Sequence, residues 1–192
     1  LGAMRVGAQG ISYELALGFT LLSIVLVCGS FSLTDIVNWQ AANGWLVWQQ
    51  PVAFVLFLIA GLAEINRRPF EMPEAEAELA CGFNIEYSSM KFALFFMAEY
   101  AHTISLAAII TCLFLGGWNL PFGIEIAFVP KVFWFVGKVF FLVVFFIWER
   151  GTFPRLRYDQ IMHLGWKWLM PLAIANLIVS AVWIAVSSGW LA

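Results

Sequence analysis

Apolar residues in this chain occur in five long blocks, each bounded by short polar segments. The blocks cover about residues 12–33, 46–63, 90–116, 131–149 and 168–190. An α-helix rises about 1.5 Å per residue, so about 20 apolar residues cross a hydrocarbon core of about 30 Å. The pattern therefore predicts an all-α, polytopic membrane protein in which residues 1–192 form a single membrane domain with five transmembrane helices.

Composition and cysteine spacing narrow the possible chemistry. The chain is 62% hydrophobic and 11% charged, whereas a soluble domain is about half apolar and a quarter charged. Its three cysteines, Cys28, Cys81 and Cys112, lie far apart, and it has two histidines, His102 and His163. Because there is no CxxC pair or Cys/His cluster, the sequence predicts neither a disulfide framework nor a metal, haem or iron–sulfur site. Any redox cofactor is expected in another subunit.

The basic residues predict the orientation in the membrane. With five spans, eight of the ten lie on one side, Lys131 lies on the other, and Lys138 lies within the fourth span. The eight are Arg5, Arg67, Arg68, Lys91, Arg150, Arg155, Arg157 and Lys167. By the positive-inside rule this side faces the cytoplasm, or the matrix of a mitochondrion. An acidic loop, 64–89, and a basic loop, 150–167, then share the inner face.

Half of the acidic residues are concentrated in the inner acidic loop. Six of the twelve acids fall within residues 64–87, and residues 64–91 carry six acids against three bases, a formal charge of −3. Apolar residues are interleaved with these acids, so part of the loop is expected to pack. Packing and like-charge proximity would raise the pKa of some of these carboxylates, which could then take up and release protons. The alternative is a solvated loop whose charges keep it in water.

Charged side chains inside the spans, or at their inner ends, form a second group. Glu99 lies about 12 Å into the third span, where a charge costs roughly 2.5–3.5 kcal/mol on insertion scales. Glu14 and Glu64 lie at the inner ends of the first two spans, and His102 follows Glu99 by one turn. Lys138 could pair with one of these acids or reach towards the membrane surface. With the loop, this group predicts a path for protons or cations; structural hydrogen bonding is the alternative for Glu99 and His102.

The inner basic loop, "ERGTFPRLRYDQIMHLGWK", has no catalytic pattern of its own. Its charged residues after Glu149 are Arg150, Arg155, Arg157, Asp159 and Lys167. Contact with lipid headgroups explains them, and a surface for a partner subunit or an anionic lipid is the competing interpretation. The arginines of "RLRYD" could also contact the acidic loop on the same face.

Three motifs in the chain closely resemble those of a known family, and they occur in the family's order. They are "GAQGISYEL" (7–15), "AEINRRPFEMPEAEAELACGFNIEYSSMKFALFFMAEY" (63–100) and "FPRLRYDQIMHLGWK" (153–167). They are similar to the quinone-chamber membrane subunit of respiratory complex I, which is subunit 1 in mitochondria and the H subunit in bacterial NADH:quinone oxidoreductase. The resemblance spans essentially the whole chain. It implies that the chain corresponds to the last five of the family's eight membrane helices.

The resemblance also implies a function and a set of partners. Members of this family lie where the membrane arm meets the hydrophilic arm, and they form most of the tunnel through which quinone reaches its site. The chain alone is then not expected to be catalytic or to bind a cofactor: quinone is the substrate, and NADH, FMN and the iron–sulfur clusters belong to partner subunits. The expected partners are hydrophilic-arm quinone-site subunits, adjacent small membrane subunits, quinone and lipid, but no nucleic acid. The expected location is a bacterial inner membrane, with the mitochondrial inner membrane as the alternative.

The resemblance assigns roles to residues that match the family's motifs. The quinone chamber and its coupling loop are expected to include Glu64, Arg67, Glu71, Glu74, Glu76, Glu78, Arg157 and Asp159. Glu14 and Glu99 match membrane glutamates of the family's proton path, to which the sequence pattern adds Lys138. At Glu71 the chain departs from the family, which usually has aspartate there. The carboxylate is kept, but it extends one methylene further.

Other functions are compatible with parts of this pattern. A related membrane subunit of an energy-converting hydrogenase or formate hydrogenlyase shares the fold, and would co-purify with a nickel–iron subunit instead of NADH-oxidising subunits. A stand-alone proton-coupled transporter would be active as an isolated chain. Within the complex I family, a third possibility is that the acids have only a scaffolding role.

Overall fold

The computed structural model describes residues 2–66, 69–70, 89–120, 130–154 and 156–187. Within these ranges the chain consists of helices joined by turns and short connections, without a β-strand. The helices are α1 (Gly2–Cys28), α2 (Leu33–Asn43), α3 (Leu46–Gln49), α4 (Pro51–Glu64), α5 (Met90–Phe114), α6 (Lys131–Thr152), α7 (Tyr158–Leu164) and α8 (Met170–Ser187), with a π-helical turn at Gly165–Leu169 between the last two.

Four helical segments are long and apolar enough to cross a membrane. They are Gly7–Cys28, Met90–Phe114, Lys131–Thr152 and the continuous stretch Tyr158–Ser187. The remaining predicted span contains the shorter apolar helix α4, whose 14 residues extend about 21 Å. The prediction of an all-α, polytopic membrane protein is confirmed.

The helix bounds differ from the hydropathy blocks in three places. The second block is divided at Gln50, which has φ −130° and ψ 65° and precedes Pro51; the proline ring and its missing N–H prevent α3 from continuing. The outer connector contains α2, which buries Ile36, Val37 and Gln40 on one face. The last helical stretch begins at Tyr158, inside the segment expected to be the inner basic loop. Short or polar helices such as these are invisible to a hydropathy average.

Helix α1 is the centre of the larger packing unit. It lies against both α4 and α8, while α5 packs mainly on α6. Gly61 lets α4 approach α5 closely, because a Cβ atom there would lie 2.9 Å from Leu106 Cδ2. Many apolar side chains of α5, α6 and α8 remain exposed on the outside of this chain, among them Met97, Phe140 and Trp183. Such surfaces suit contact with lipid or with other membrane helices.

Two polar contacts connect the inner ends of the helices. The Tyr13 hydroxyl on α1 donates a hydrogen bond to the Ile161 carbonyl oxygen at 3.0 Å, and both residues are fully buried. The backbone N–H of Leu156 donates to the Pro69 carbonyl oxygen at 3.2 Å. The segment after α4 therefore meets the segment between α6 and α7 on one face of the protein.

Gln40 makes several hydrogen bonds to the outer end of α5. Gln40 on α2 is buried, and its Nε2 donates to the carbonyl oxygens of Cys112 and Leu113 at 2.9 and 3.0 Å. Its Oε1 accepts from the backbone N–H groups of Gly116 at 2.9 Å and Leu46 at 3.4 Å. These four bonds use the full hydrogen-bonding capacity of the amide and satisfy carbonyls that the helix end would leave open.

Candidate functional site

The predicted site residues fall into two sets according to what the structure describes. Glu14, Glu64, Glu99, Lys138, Arg157 and Asp159 lie within the described ranges. Arg67, Glu71, Glu74, Glu76 and Glu78 lie outside the described residues, so their assignments stay predictions. The structure therefore describes the helical part of the predicted site and not its acidic loop.

Glu64 is the last residue of α4, and a turn around Gln9 holds it in place. Asn66 adopts φ 56°, a left-handed conformation that asparagine tolerates better than most residues, and reverses the chain directly after the helix. Gln9 on α1 is buried, and its Nε2 donates to the carbonyl oxygens of Ala63 at 2.9 Å and Phe70 at 3.2 Å. It also lies 3.3 Å from Asn66 Oδ1. All three acceptors are oxygens, so they determine which end of the Gln9 amide carries the nitrogen.

The carboxyl group of Glu64 is half-buried among other titratable side chains. Its Oε2 is buried without a hydrogen-bond partner in the described part of the chain. Glu14 on α1 and His102 on α5 are near enough to act on its charge. Glu14 disfavours a negative charge on Glu64 and a protonated His102 favours one, as Coulomb's law requires. The structure thus places Glu64 within electrostatic range of groups on two other helices, which the sequence had placed only by depth.

Glu99 lies one turn from His102 on α5 and is half-buried. Its backbone carbonyl accepts a hydrogen bond from the Thr103 hydroxyl at 3.0 Å, a bond in which the carboxyl group takes no part. Glu99 and His102 are both on α5, and His102 lies within electrostatic range of Glu64 on α4. The predicted depths, with Glu14 and Glu64 at the inner ends of their spans and Glu99 about 12 Å into the third, stay predictions.

Lys138 does not pair with Glu14, Glu64, Glu99 or any other described acid, so that expectation was wrong; its side chain extends to the outer end of α5 instead. Its Nζ donates to the carbonyl oxygens of Leu115 at 2.7 Å, Gly117 at 3.0 Å and Asn119 at 2.6 Å. An ammonium group has three N–H donors, and these bonds use all of them. Nζ also lies 4.6 Å from the centroid of the Trp45 ring, within the range of a cation–π interaction.

The physical reason for this placement is the carboxyl end of α5. The last carbonyl groups of a helix lack intrahelical partners and carry partial negative charge. Lys138 lies on the antiparallel helix α6 at the level of that end, so its charge is neutralised by backbone dipoles. Lys138 is accordingly at the outer end of the bundle, remote from Glu64 at the inner end, and its assignment to the proton path stays a prediction.

Arg157 and Asp159 are not brought into the Glu64 group. Both are exposed at the start of α7, where the backbone N–H of Arg157 donates to Gln160 Oε1 at 3.2 Å. The Cζ atom of Arg5 lies over the neighbouring Tyr158 ring, 5.7 Å from the centroid of that ring. The start of α7 thus forms a surface with the start of α1 at the inner face.

An apolar cavity of about 210 Å³ lies between the inner parts of α4, α5 and α6. Its lining is mainly aliphatic and aromatic, with one charged group, Arg150. The lining residues are Leu62, Ile65, Tyr100, Thr103, Ile104, Val143, Phe146, Ile147 and Arg150. Leu62 and Ile65 place the cavity at the same end of α4 as Glu64, although Glu64 is not itself a lining residue. Within the described ranges, His, Cys, Asp and Glu side chains do not form a group of three or more that could bind a metal ion.

Two buried polar residues near this site were not singled out from the sequence. Gln9 lies within the first of the three motifs. Its hydrogen-bond partners, Ala63 and Phe70, are 54 and 61 residues away along the chain, so no local pattern indicates its role. Glu149 is the last residue of the predicted span 131–149, and the structure buries it. Its spacing of three and seven residues from Phe146 and Leu142, which are also buried, was the signal available in the sequence.

Comparison with known proteins identifies the family of the chain. Residues 1–181 match the family model for NADH dehydrogenase. The chain is 51% identical over 188 residues to an H subunit of NADH-quinone oxidoreductase from Geobacter sulfurreducens, covering 98% of this chain and 53% of that protein. It is 48% identical over 191 residues to the H subunit of NADH-quinone oxidoreductase from Paramagnetospirillum magneticum, covering 100% and 55%. The chain spans about half the length of the curated relatives it matches. It belongs to the NADH dehydrogenase family.

Proposed function

We propose that this chain is part of the membrane subunit of a proton-pumping NADH:quinone oxidoreductase, in which it lines the quinone-access chamber and couples quinone reduction to proton movement. The observation that carries the proposal is that Glu14 and His102, on two other helices, lie within electrostatic range of Glu64 at the end of α4, where an apolar cavity is also found. The names of its relatives support the enzyme class. The proposed location is a bacterial inner membrane.

The cavity supports the quinone part of the proposal. Its mainly apolar lining suits the hydrocarbon tail of a membrane quinone, and its position between α5 and α6 places it next to exposed apolar helix surfaces. Ligand cavities of this kind combine apolar walls with a few polar groups that orient the ligand. Arg150 and Tyr100 are two such groups in this lining. Reduction itself would take place in a partner subunit, which would also hold NADH, FMN and the iron–sulfur clusters.

The acid group supports the coupling part. Converting a quinone into a quinol takes up two electrons and two protons, so negative charge and proton demand arise together near the chamber. A new negative charge favours the protonated form of nearby carboxyl groups. Glu64 has a buried oxygen without a hydrogen-bond partner in the described part of the chain, and Glu14 and His102 act on its charge; we propose that it gains and loses a proton. Its titration would be shared with these neighbours.

The inner acidic loop completes the proposed path. Glu71, Glu74, Glu76 and Glu78 follow Glu64 along the chain, and they would connect the chamber to the membrane glutamates. Arg67, Arg157 and Asp159 are proposed as chamber-side residues that act on the quinone or on the loop. The partners would be the hydrophilic-arm subunits at the quinone site, small adjacent membrane subunits and lipid.

The test uses the assembled complex in membrane vesicles. Glu64→Gln and Glu99→Gln keep the side-chain shape but remove the titratable proton, so both should lower quinone reduction and the protons moved per NADH. Oxidation of NADH by an artificial acceptor that takes electrons before the quinone should be unchanged. Asp35→Asn is the matched control, because Asp35 is an exposed acid on α2 at the outer side, bonded to Ser30 at 2.8 Å. Unchanged quinone-linked activity in both glutamine variants would refute the proposal.

A further inference from the structure

Glu149 on α6 is a buried acid that the proposed function has not used. Its exposed fraction is 9%, and its Oε2 is buried without a hydrogen-bond partner in the described part of the chain. It belongs to a buried stripe of α6 with Leu142 and Phe146. The hydrogen bonds from the Thr152 hydroxyl and the Phe153 N–H go to the Glu149 backbone carbonyl, not to its carboxyl group.

Glu149 lies at about the same depth in the bundle as His102 and its neighbours on α5. Lys138 marks the level of the outer end of α5, and Glu149 lies eleven residues further along α6, about 16 Å deeper. Moving the same distance back along the antiparallel α5 from Phe114 leads to Thr103, next to His102. The cavity gives the same alignment independently, because Phe146 and Arg150 of α6 line it together with Tyr100 and Thr103 of α5.

A buried carboxylate needs an opposite charge or several hydrogen bonds to replace its hydration. Among the described residues, the charged groups at the level of Glu149 are Arg150 on α6 itself, Glu99 and His102 on α5, and Glu64 on α4. Arg150 is the only cation among them while His102 is neutral, and Oε2 of Glu149 accepts no hydrogen bond from it or from any other described residue. The surroundings of this carboxyl group therefore suit a neutral acid that holds its proton.

We propose that Glu149 is a further proton-holding residue of the path, one that extends it from α4 and α5 to α6. This rests on the proposed function. Glu149 holds one proton as the neutral acid. It passes that proton to a water molecule on the cavity side when a neighbouring group becomes less negative, and becomes a carboxylate. It regains one proton from water at the inner face, so one proton moves, no electrons are transferred, and the residue returns to its starting state.

The experiment compares Glu149→Gln with the wild-type complex in membrane vesicles. Infrared difference spectra on reduction should lose one carboxylic-acid C=O band, and that band should be the one that shifts in heavy water. The number of protons moved per NADH should fall, while NADH oxidation by the artificial acceptor is retained. An unchanged spectrum, or loss of the band with unchanged proton movement, would overturn the proposal.

A second variant guards against a folding defect. Glu149→Leu fits the apolar stripe formed by Leu142 and Phe146, so it should assemble even if the glutamine variant does not. Reduced proton movement in an assembled leucine variant supports the proposal, and wild-type proton movement overturns it. Glu64→Gln is measured alongside. If Glu64→Gln is impaired and the Glu149 variants are not, only this inference fails; if none is impaired, the proposed function fails as well.

Discussion

The side-chain amide of Gln9 on α1 donates a hydrogen bond to the carbonyl oxygen of Ala63, one residue before Glu64, at a distance of 2.9 Å. The two bonded residues are 54 positions apart, and both are buried. The same nitrogen reaches the Phe70 carbonyl oxygen at 3.2 Å. Gln9 therefore determines where α4 ends and how the following segment returns to α1, and with that the position of the Glu64 carboxyl group.

Replacing Gln9 should disturb the inner end of α4. Gln9→Leu removes the donors to two carbonyls and should lower the free energy of unfolding by about 1–3 kcal/mol, the usual cost of leaving a buried polar group without its partner. Gln9→Glu should be worse, because it places a carboxylate against three oxygen acceptors. Thermal unfolding of the purified complex measures the effect.

A matched control for this change is Gln49→Leu. Gln49 is exposed and makes one hydrogen bond, to the Asn43 carbonyl oxygen at 2.9 Å, so its loss should be nearly neutral. If the two leucine variants behaved alike, the contact between Gln9 and α4 would have no special role.

Replacing Lys138 should lower the stability of the outer end of the bundle but should leave quinone reduction and proton movement unchanged. Lys138→Met leaves three carbonyl oxygens without their charged donor, and charged hydrogen bonds contribute about 1.5–3 kcal/mol each. Less complex should assemble, and its thermal unfolding temperature should fall. Activity per assembled complex should be kept. Lys131→Met, at the exposed start of the same helix, is the control. A specific loss of proton movement in fully assembled Lys138→Met would return this residue to the proton path.

Changes in the inner acidic loop should separate coupling from assembly. Glu74→Gln or Glu76→Gln should slow quinone reduction and proton movement together, because each removes a group that can hold a proton. Electron transfer to an artificial acceptor upstream of the quinone should be spared. Glu71→Asp should be mild, since it keeps the carboxylate. Equal loss of both activities in the glutamine variants would mean failed assembly, and full quinone reduction would mean that the loop is only a solvated surface.

Accessibility of Cys81 tests the orientation. Eight of the ten basic residues are expected on the inner side, and the backbone bond from Leu156 to Pro69 places two inner segments together. A membrane-impermeant thiol reagent should therefore reach Cys81 from the inner face of inverted vesicles and not from the outer face of intact cells. A cysteine placed at Asn43, exposed on α2, should show the opposite pattern. Labelling of Cys81 from outside would overturn the topology.

The sequence by itself determined the fold class and the approximate helices. In a bilayer every spanning segment must be apolar and must satisfy its own backbone, so each span is recorded locally in the chain. The block predicted at 90–116 is accordingly found as α5, Met90–Phe114. The resemblance to a family rested on contiguous motifs, and the family match confirmed it. The depths of Glu14, Glu64 and Glu99 followed from counting residues along such helices.

Tertiary structure alone decided which polar groups meet. Gln40 finds its partners 72 and 73 residues away, and Lys138 finds backbone carbonyls instead of the carboxylates that its charge suggested. Glu149 is buried because the face of α6 that carries Leu142 and Phe146 packs against the rest of the protein. Hydropathy depends on each residue and its neighbours in sequence, whereas these contacts depend on how each helix is rotated and how deep it lies against the next. That rotation is set by the packing of side chains from several helices at once, which no local pattern contains.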